Sequence, residues 1–171
     1  ELILADPEPR HCLRFDTAPL TATTRFGGTP VVRFAASFDA PAAILSVMLV
    51  DIGSHRRLTT AQVSTGSLVC GLDGPTIPTK RFAVERETSA YRILSRGWMD
   101  ARNAEAPWAR RRLEPDAWHR YAIAMEPFDQ TVTAGDRLRL IIFGTDPEAT
   151  TKPRGQRLIT INTASVTLEL G

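Results

Sequence analysis

Three groups of side chains in this 171-residue chain are of types that carry out chemistry. Ser54 and His55 stand side by side, a nucleophile next to a base. Such a pair works only if the hydroxyl lies within hydrogen-bond reach of the imidazole and a third group orients the ring. Gly53-Ser54-His55-Arg56 reads as a hairpin turn, and neighbouring side chains on a strand point to opposite faces, so the spacing argues against a dyad. No Gly-x-Ser-x-Gly elbow is present to seat a hydrolase nucleophile. The histidines His11, His55 and His119 are isolated, whereas zinc sites show a close ligand pair such as His-x-x-x-His. Asp100 and Asp146 would form a glycosidase-type carboxylate pair only if two distant strands brought them together, and nothing in their spacing favours that. The residues themselves therefore predict no catalytic, metal or cofactor site.

The densest set of functional groups is Arg96, Trp98, Asp100, Arg102 and Asn103, in the stretch Tyr91–Asn103. Ile93 and Leu94 begin it as buried strand. Gly97 predicts a bulge or a close backbone approach, because it has no Cβ to clash. Asp100, Arg102 and Asn103 then supply an anion, a planar fork of donors and a two-sided amide. Each needs a partner if it is buried, so the set predicts a structural lock at a strand exit, or an interface, in preference to a ligand site.

These groups must be positioned by strands. Leu13 and Phe15 alternate with Arg14 and Asp16. Thr21 to Phe26 is threonine-rich, which suits a pleated surface. Val32, Phe34, Ala36 and Phe38 share one face, opposite Arg33 and Ser37, with period two. Ile44 to Ile52 is almost continuously apolar and predicts a central strand covered on both faces. Leu58 to Ser64 is expected to return from the turn at Gly53, and Gly66 to Lys80 to form a long loop. Ala101 to Ala109 predicts one helical turn ended by Pro107, and Glu114-Pro115-Asp116 a turn. Tyr121, Ile123 and Met125 are expected to face the core. Ala122 and Ala124 behind them suggest a second layer close by. Pro127 and Gly135 bracket a connection through Thr131-Val132-Thr133. Leu138, Leu140 and Ile142 alternate with Arg137 and Arg139, Gly144 to Gly155 is a polar loop, and Ile159–Ile161 and Val166–Leu170 close the chain as two short strands. Nine or ten strands at this spacing predict an all-β, two-layer β-sandwich over residues 1–171 as a single domain.

Composition excludes several classes. With 21 basic and 19 acidic residues the net charge is +2, too even for a nucleic-acid binder, which needs a concentrated basic stripe. Arg110-Arg111-Arg112 reads as a solvated turn. No stretch approaches the roughly 20 apolar residues of a membrane span, so neither nucleic acid nor membrane is an expected partner. Cys12 and Cys70 sit beside apolar neighbours and favour buried thiols over a disulfide. The start at Glu1, without an initiator Met, reads as a piece of a longer chain.

The run Ser95-Arg96-Gly97-Trp98-Met99-Asp100-Ala101-Arg102-Asn103 resembles a segment of the C-terminal domain in X-prolyl dipeptidyl aminopeptidases (X-Pro dipeptidyl-peptidases), serine exopeptidases that release X-Pro dipeptides. Gly28-Thr29-Pro30, Val47–Asp51, Glu126–Asp129, Gly135–Leu138 and Phe143–Asp146 resemble further family segments in the same order, so the likeness runs from about Phe26 to Leu170. Asp116 and Asp136 depart from it, standing where the family more often has glycine and histidine. The resemblance implies a jelly-roll sandwich of the galactose-binding-domain kind. It also implies that the catalytic serine, aspartate and histidine lie in an upstream α/β-hydrolase domain, so none is carried over here. The partners it implies are that catalytic domain, on which this one would pack and shape substrate access, and a homodimer mate. The alternative is a carbohydrate-binding module, with Trp108 as the best candidate platform among Trp98, Trp108 and Trp118.

Overall fold

The computed structural model describes residues 11–58, 68–69, 79–80, 86–146, 150 and 158–170. Among them are eleven strands, a single 3-10 turn and no α-helix. By density of internal contacts the chain divides into two compact units, Glu1–Ile52 with Arg92–Gly171, and Gly53–Tyr91.

The first unit is a β-sandwich. One sheet has the order β1 (Cys12–Asp16), β10 (Arg137–Phe143), β4 (Ile44–Leu58), β7 (Arg86–Asp100). The other has β11 (Ile159–Glu169), β3 (Val31–Phe38), β8 (His119–Ala124), and β2 (Thr24–Gly28) pairs with β9 (Phe128–Val132). Neighbours come from opposite ends of the chain, so the pairing is almost wholly non-local. Period-two patterning fills the space between the sheets. Val32, Phe34, Ala36 and Phe38 from β3, with Tyr121 and Ile123 from β8, meet Leu45, Val47 and Leu49 from β4 and Leu138, Leu140 and Ile142 from β10 in one core cluster. The Tyr121 ring lies 6.0 Å from Phe34 and edge-on to Phe38 at 5.7 Å. Burial pushes its phenol up to about 12. β4 sits between β10 and β7, and Ser46, Met48 and Val50 on its second face are buried too, which is why the Ile44–Ile52 run is continuously apolar.

The strands β2–β9 and β3–β8 are one long ladder with a break. Gly28 faces Phe128, and continuing that register would set Val31 opposite Met125; it faces Ala124 instead. The one-residue slip falls at Pro30 and Pro127. Neither has an N–H to lose there, while the Met125 N–H reaches the Pro30 carbonyl at 2.9 Å.

Several expectations need correction. Gly53–Arg56 is not a hairpin turn, since β4 runs unbroken to Leu58. Arg57 holds that extension by donating to the carbonyls of Gly53 (2.6 Å) and Ser89 (2.9 Å). Phe128–Val132 is a strand and not a plain connection, because Thr131-Val132-Thr133 alternates and Val132 is fully buried. Ile159 to Glu169 is one strand whose register shifts between Asn162 and Thr167. Ser165 fills the gap, its Oγ accepting from the Ala35 N–H (2.8 Å) and donating to the Asn162 carbonyl (2.6 Å). Ala122 and Ala124 are exposed, so no second layer among the described residues covers them. The helical turn shrinks to a 3-10 turn, Ala101–Asn103.

In the second unit, β5 (Leu68–Val69) and β6 (Thr79–Lys80) pair antiparallel. Most of the expected Leu58–Ser64 return and Gly66–Lys80 loop lies outside the described residues, as does Cys70; Cys12 is half-buried in β1.

Candidate functional site

The stretch singled out by its side chains is the second half of β7 and the turn beyond it. Strand alternation puts Ser95, Gly97 and Met99 on one face and Arg96, Trp98 and Asp100 on the other. On the first face the backbone of β7 meets the end of β8. The Glu126 N–H donates to the Arg96 carbonyl at 2.7 Å, and the Ser95 hydroxyl to the Glu126 carbonyl at 2.5 Å. A Cβ at Gly97 would stand 3.1 Å from the Ala124 carbonyl oxygen, from Ile123 and from the Met125 Cα. Two of those three neighbours are backbone atoms, which give little, so a side chain at 97 would crowd an approach that glycine leaves free. β7 and β8 each end a sheet, and this contact joins one sheet to the other.

On the other face, Arg96 and Trp98 converge on one oxygen. The Arg96 guanidinium donates to Asp146 Oδ2 at 3.2 Å and the Trp98 indole N–H to the same atom at 3.1 Å. Asp146, just beyond β10, is 3% exposed. Its own carbonyl accepts from the amide and hydroxyl of Thr150, both at 2.8 Å. Farther along β7, Arg92 donates to the buried Asp51 (3.2 Å), to Gln130 (2.8 Å) and to the Thr131 carbonyl (2.7 Å).

Asp100 ends the strand and caps the 3-10 turn. Its carboxylate accepts from the Arg102 amide at 3.0 Å and from the Arg102 guanidinium at 2.6 Å. That guanidinium holds the Asp100 carboxyl below its usual range, against the opposing effect of burial. Asn103 then donates its amide to the carbonyls of Ala106 (3.3 Å) and Pro107 (2.6 Å). The Ala109 N–H reaches the Ala106 carbonyl at 3.1 Å and the Arg111 N–H the Arg102 carbonyl at 2.9 Å, which makes Ala106–Ala109 a pinned β-turn with Trp108 at its tip. Arg111 goes on to Glu105 (3.1 Å) and to His119 Nδ1 (2.7 Å). Burial, then the Arg111 charge, hold the His119 imidazole below its ordinary value.

The five predicted residues thus divide between two neighbourhoods. Arg96 and Trp98 share Asp146, while Asp100, Arg102 and Asn103 bond to one another and to the following turn. Sequence reasoning missed Asp146 as the common partner, although the Phe143–Asp146 run carried it. Asp100 and Asp146 are each engaged by a guanidinium, and the Asp100 carboxyl is pushed down, the wrong direction for a general acid. Ser54 is exposed and His55 half-buried at successive positions of β4.

Comparison with known proteins agrees in one direction. Residues 2–169 match the family described as the X-Pro dipeptidyl-peptidase C-terminal non-catalytic domain. The Xaa-Pro dipeptidyl-peptidase of Lacticaseibacillus casei (strain BL23) is 28% identical over 137 residues, 79% of this chain and 17% of that protein. The one from Lactobacillus helveticus is 26% identical over 159 residues, 92% of this chain and 20% of that protein. The chain therefore spans about a fifth of the length of these relatives. An α-amino acid ester hydrolase superposes on 99% of this chain and 26% of its own, with a TM-score of 0.61 at 14% identity, a likeness of fold.

Proposed function

Because the chain belongs to the family of X-Pro dipeptidyl-peptidase C-terminal non-catalytic domains, we propose that residues 1–171 act as one accessory domain of a longer X-Pro dipeptidyl-peptidase. In this role the sandwich packs on an α/β-hydrolase catalytic domain of the same polypeptide, shapes the approach of peptides to its active site and supports a homodimer. Arg96, Trp98, Asp100, Arg102 and Asn103 act as a structural lock that fixes the surface presented to that partner. The observation carrying the proposal is the family match across 2–169. It is supported by the pattern of bonds in the stretch, where each of the five side chains has a protein partner and none is held out toward a substrate.

The test is hydrolysis of Gly-Pro-p-nitroanilide. The full parent chain should release nitroaniline and the 171-residue chain alone should not. Turnover by the shorter chain would overturn the accessory role. A parent that cleaves amino-acid esters but no X-Pro amide would overturn the assigned activity while leaving the accessory role intact.

A further inference from the structure

Trp108 is 86% exposed, against 53% for Trp118. A large apolar side chain in water is ordinary when it sits on a loose loop. This one sits on a turn held by four hydrogen bonds: Ala109 N–H to the Ala106 carbonyl, Arg111 N–H to the Arg102 carbonyl, and the Asn103 amide to the carbonyls of Ala106 and Pro107. Pro107 fixes a further backbone angle at the tip. Bracing removes in advance the ordering entropy that an anchor would otherwise lose on docking. The flanks carry charge as well. Arg110 and Arg112 are exposed and have no ion-pair partner among the described residues, whereas Arg111 between them is taken by Glu105 and His119.

We infer that the Ala106–Ala109 turn is the anchor by which this domain docks on the rest of its own polypeptide, with Trp108 entering an apolar socket whose rim carries carboxylates for Arg110 and Arg112. The inference rests on the proposal that the chain is part of a longer enzyme, and it adds the surface and the chemistry of the partner. One tryptophan offers about 150–250 Å², a part of the roughly 800 Å² per side that a stable complex between separate molecules buries. A tethered partner can dock through a smaller patch, because the linker holds it at an effective concentration of order millimolar. About four-fifths of each relative lies outside the matched region, and that is the tethered partner available.

The experiment uses the full-length chain. Hydroxyl-radical footprinting should oxidise Trp108 more slowly than Trp118, the reverse of the order their exposures in this domain dictate; Trp108 reacting faster than Trp118 overturns the anchor. Trypsin should cut at Arg110–Arg112 slowly in the full-length chain and several-fold faster in its Trp108→Ala variant, and equal rates in the two overturn it too. Trp108 that reacts fast and is protected only on adding xylohexaose overturns it in favour of a glycan platform. Gly-Pro-p-nitroanilide hydrolysis by the same wild-type sample reads the parent activity separately: activity with a fast-reacting Trp108 sinks the anchor alone, and inactivity with a protected Trp108 sinks the assigned activity alone.

Discussion

The two halves of the Arg96–Asn103 stretch use the same kinds of side chain in opposite ways. Arg96 and Trp98 reach 50 and 48 residues along the chain to a carboxylate that is almost fully buried. Asp100, Arg102 and Asn103 bond within two to four residues, in half-buried positions. An arginine–aspartate pair therefore holds two β-strand regions together in the first half and only shapes a turn in the second. Dielectric and distance in sequence set the difference. The buried carboxylate has lost its water and depends on its partners, while the half-buried Asp100–Arg102 pair still competes with solvent and gains less from closure.

The largest expected effect comes from breaking the buried half. Asp146→Ala leaves the Arg96 charge and the Trp98 N–H without the oxygen they share, and should cost about 3–5 kcal/mol in urea unfolding of the 171-residue chain. If it costs no more than a surface pair, the contrast between the halves collapses. Gly97→Val comes next. It drives a branched side chain against the Ala124 carbonyl and the Met125 backbone, and should cost roughly 1–3 kcal/mol by the same measurement, with the β7–β8 amides losing hydrogen-exchange protection first.

Asp100→Ala removes a cap and its pair, for about 1 kcal/mol. It also has a pH signature. The folded-state pKa is depressed, so the contribution is present above the unfolded value of about 4 and is lost as pH falls through the folded value. Wild type should lose that increment in acid, and Asp100→Ala should show a correspondingly smaller drop; identical acid profiles would mean the Arg102 contact contributes nothing. The smallest effect is expected of Asn103→Ala. Its global stability should change by less than about 1 kcal/mol, yet trypsin should cut the 171-residue chain faster at Arg110–Arg112. A large global loss would show that the turn belongs to the core after all.

How much of this was legible follows the same divide. Val32, Phe34, Ala36 and Phe38 alternate in sequence and all four are buried. The Ile44–Ile52 run gave away a strand covered on two faces, and Asp100 with Arg102 was readable as a strand-exit pair because its members are neighbours. The failures were of two kinds. At Gly53–Arg56 turn residues misled: glycine and polar side chains usually break a strand, but here Arg57 supplies bonds that keep it extended. At Phe128–Val132 a strand was hidden, since its partner β2 begins more than a hundred residues away.

The amino-acid order by itself determined which residues alternate into a core and that Gly97 marks a bulge or a close backbone approach, because each of these depends on the few residues to either side. Only the tertiary structure decided that Asp146 is what Arg96 and Trp98 share, that Gly97 is needed because β8 crosses there, and that Trp108 is held out on a braced turn. Those outcomes depend on which strands meet across the sandwich, and with nearly every pairing joining distant parts of the chain, no local pattern encodes them.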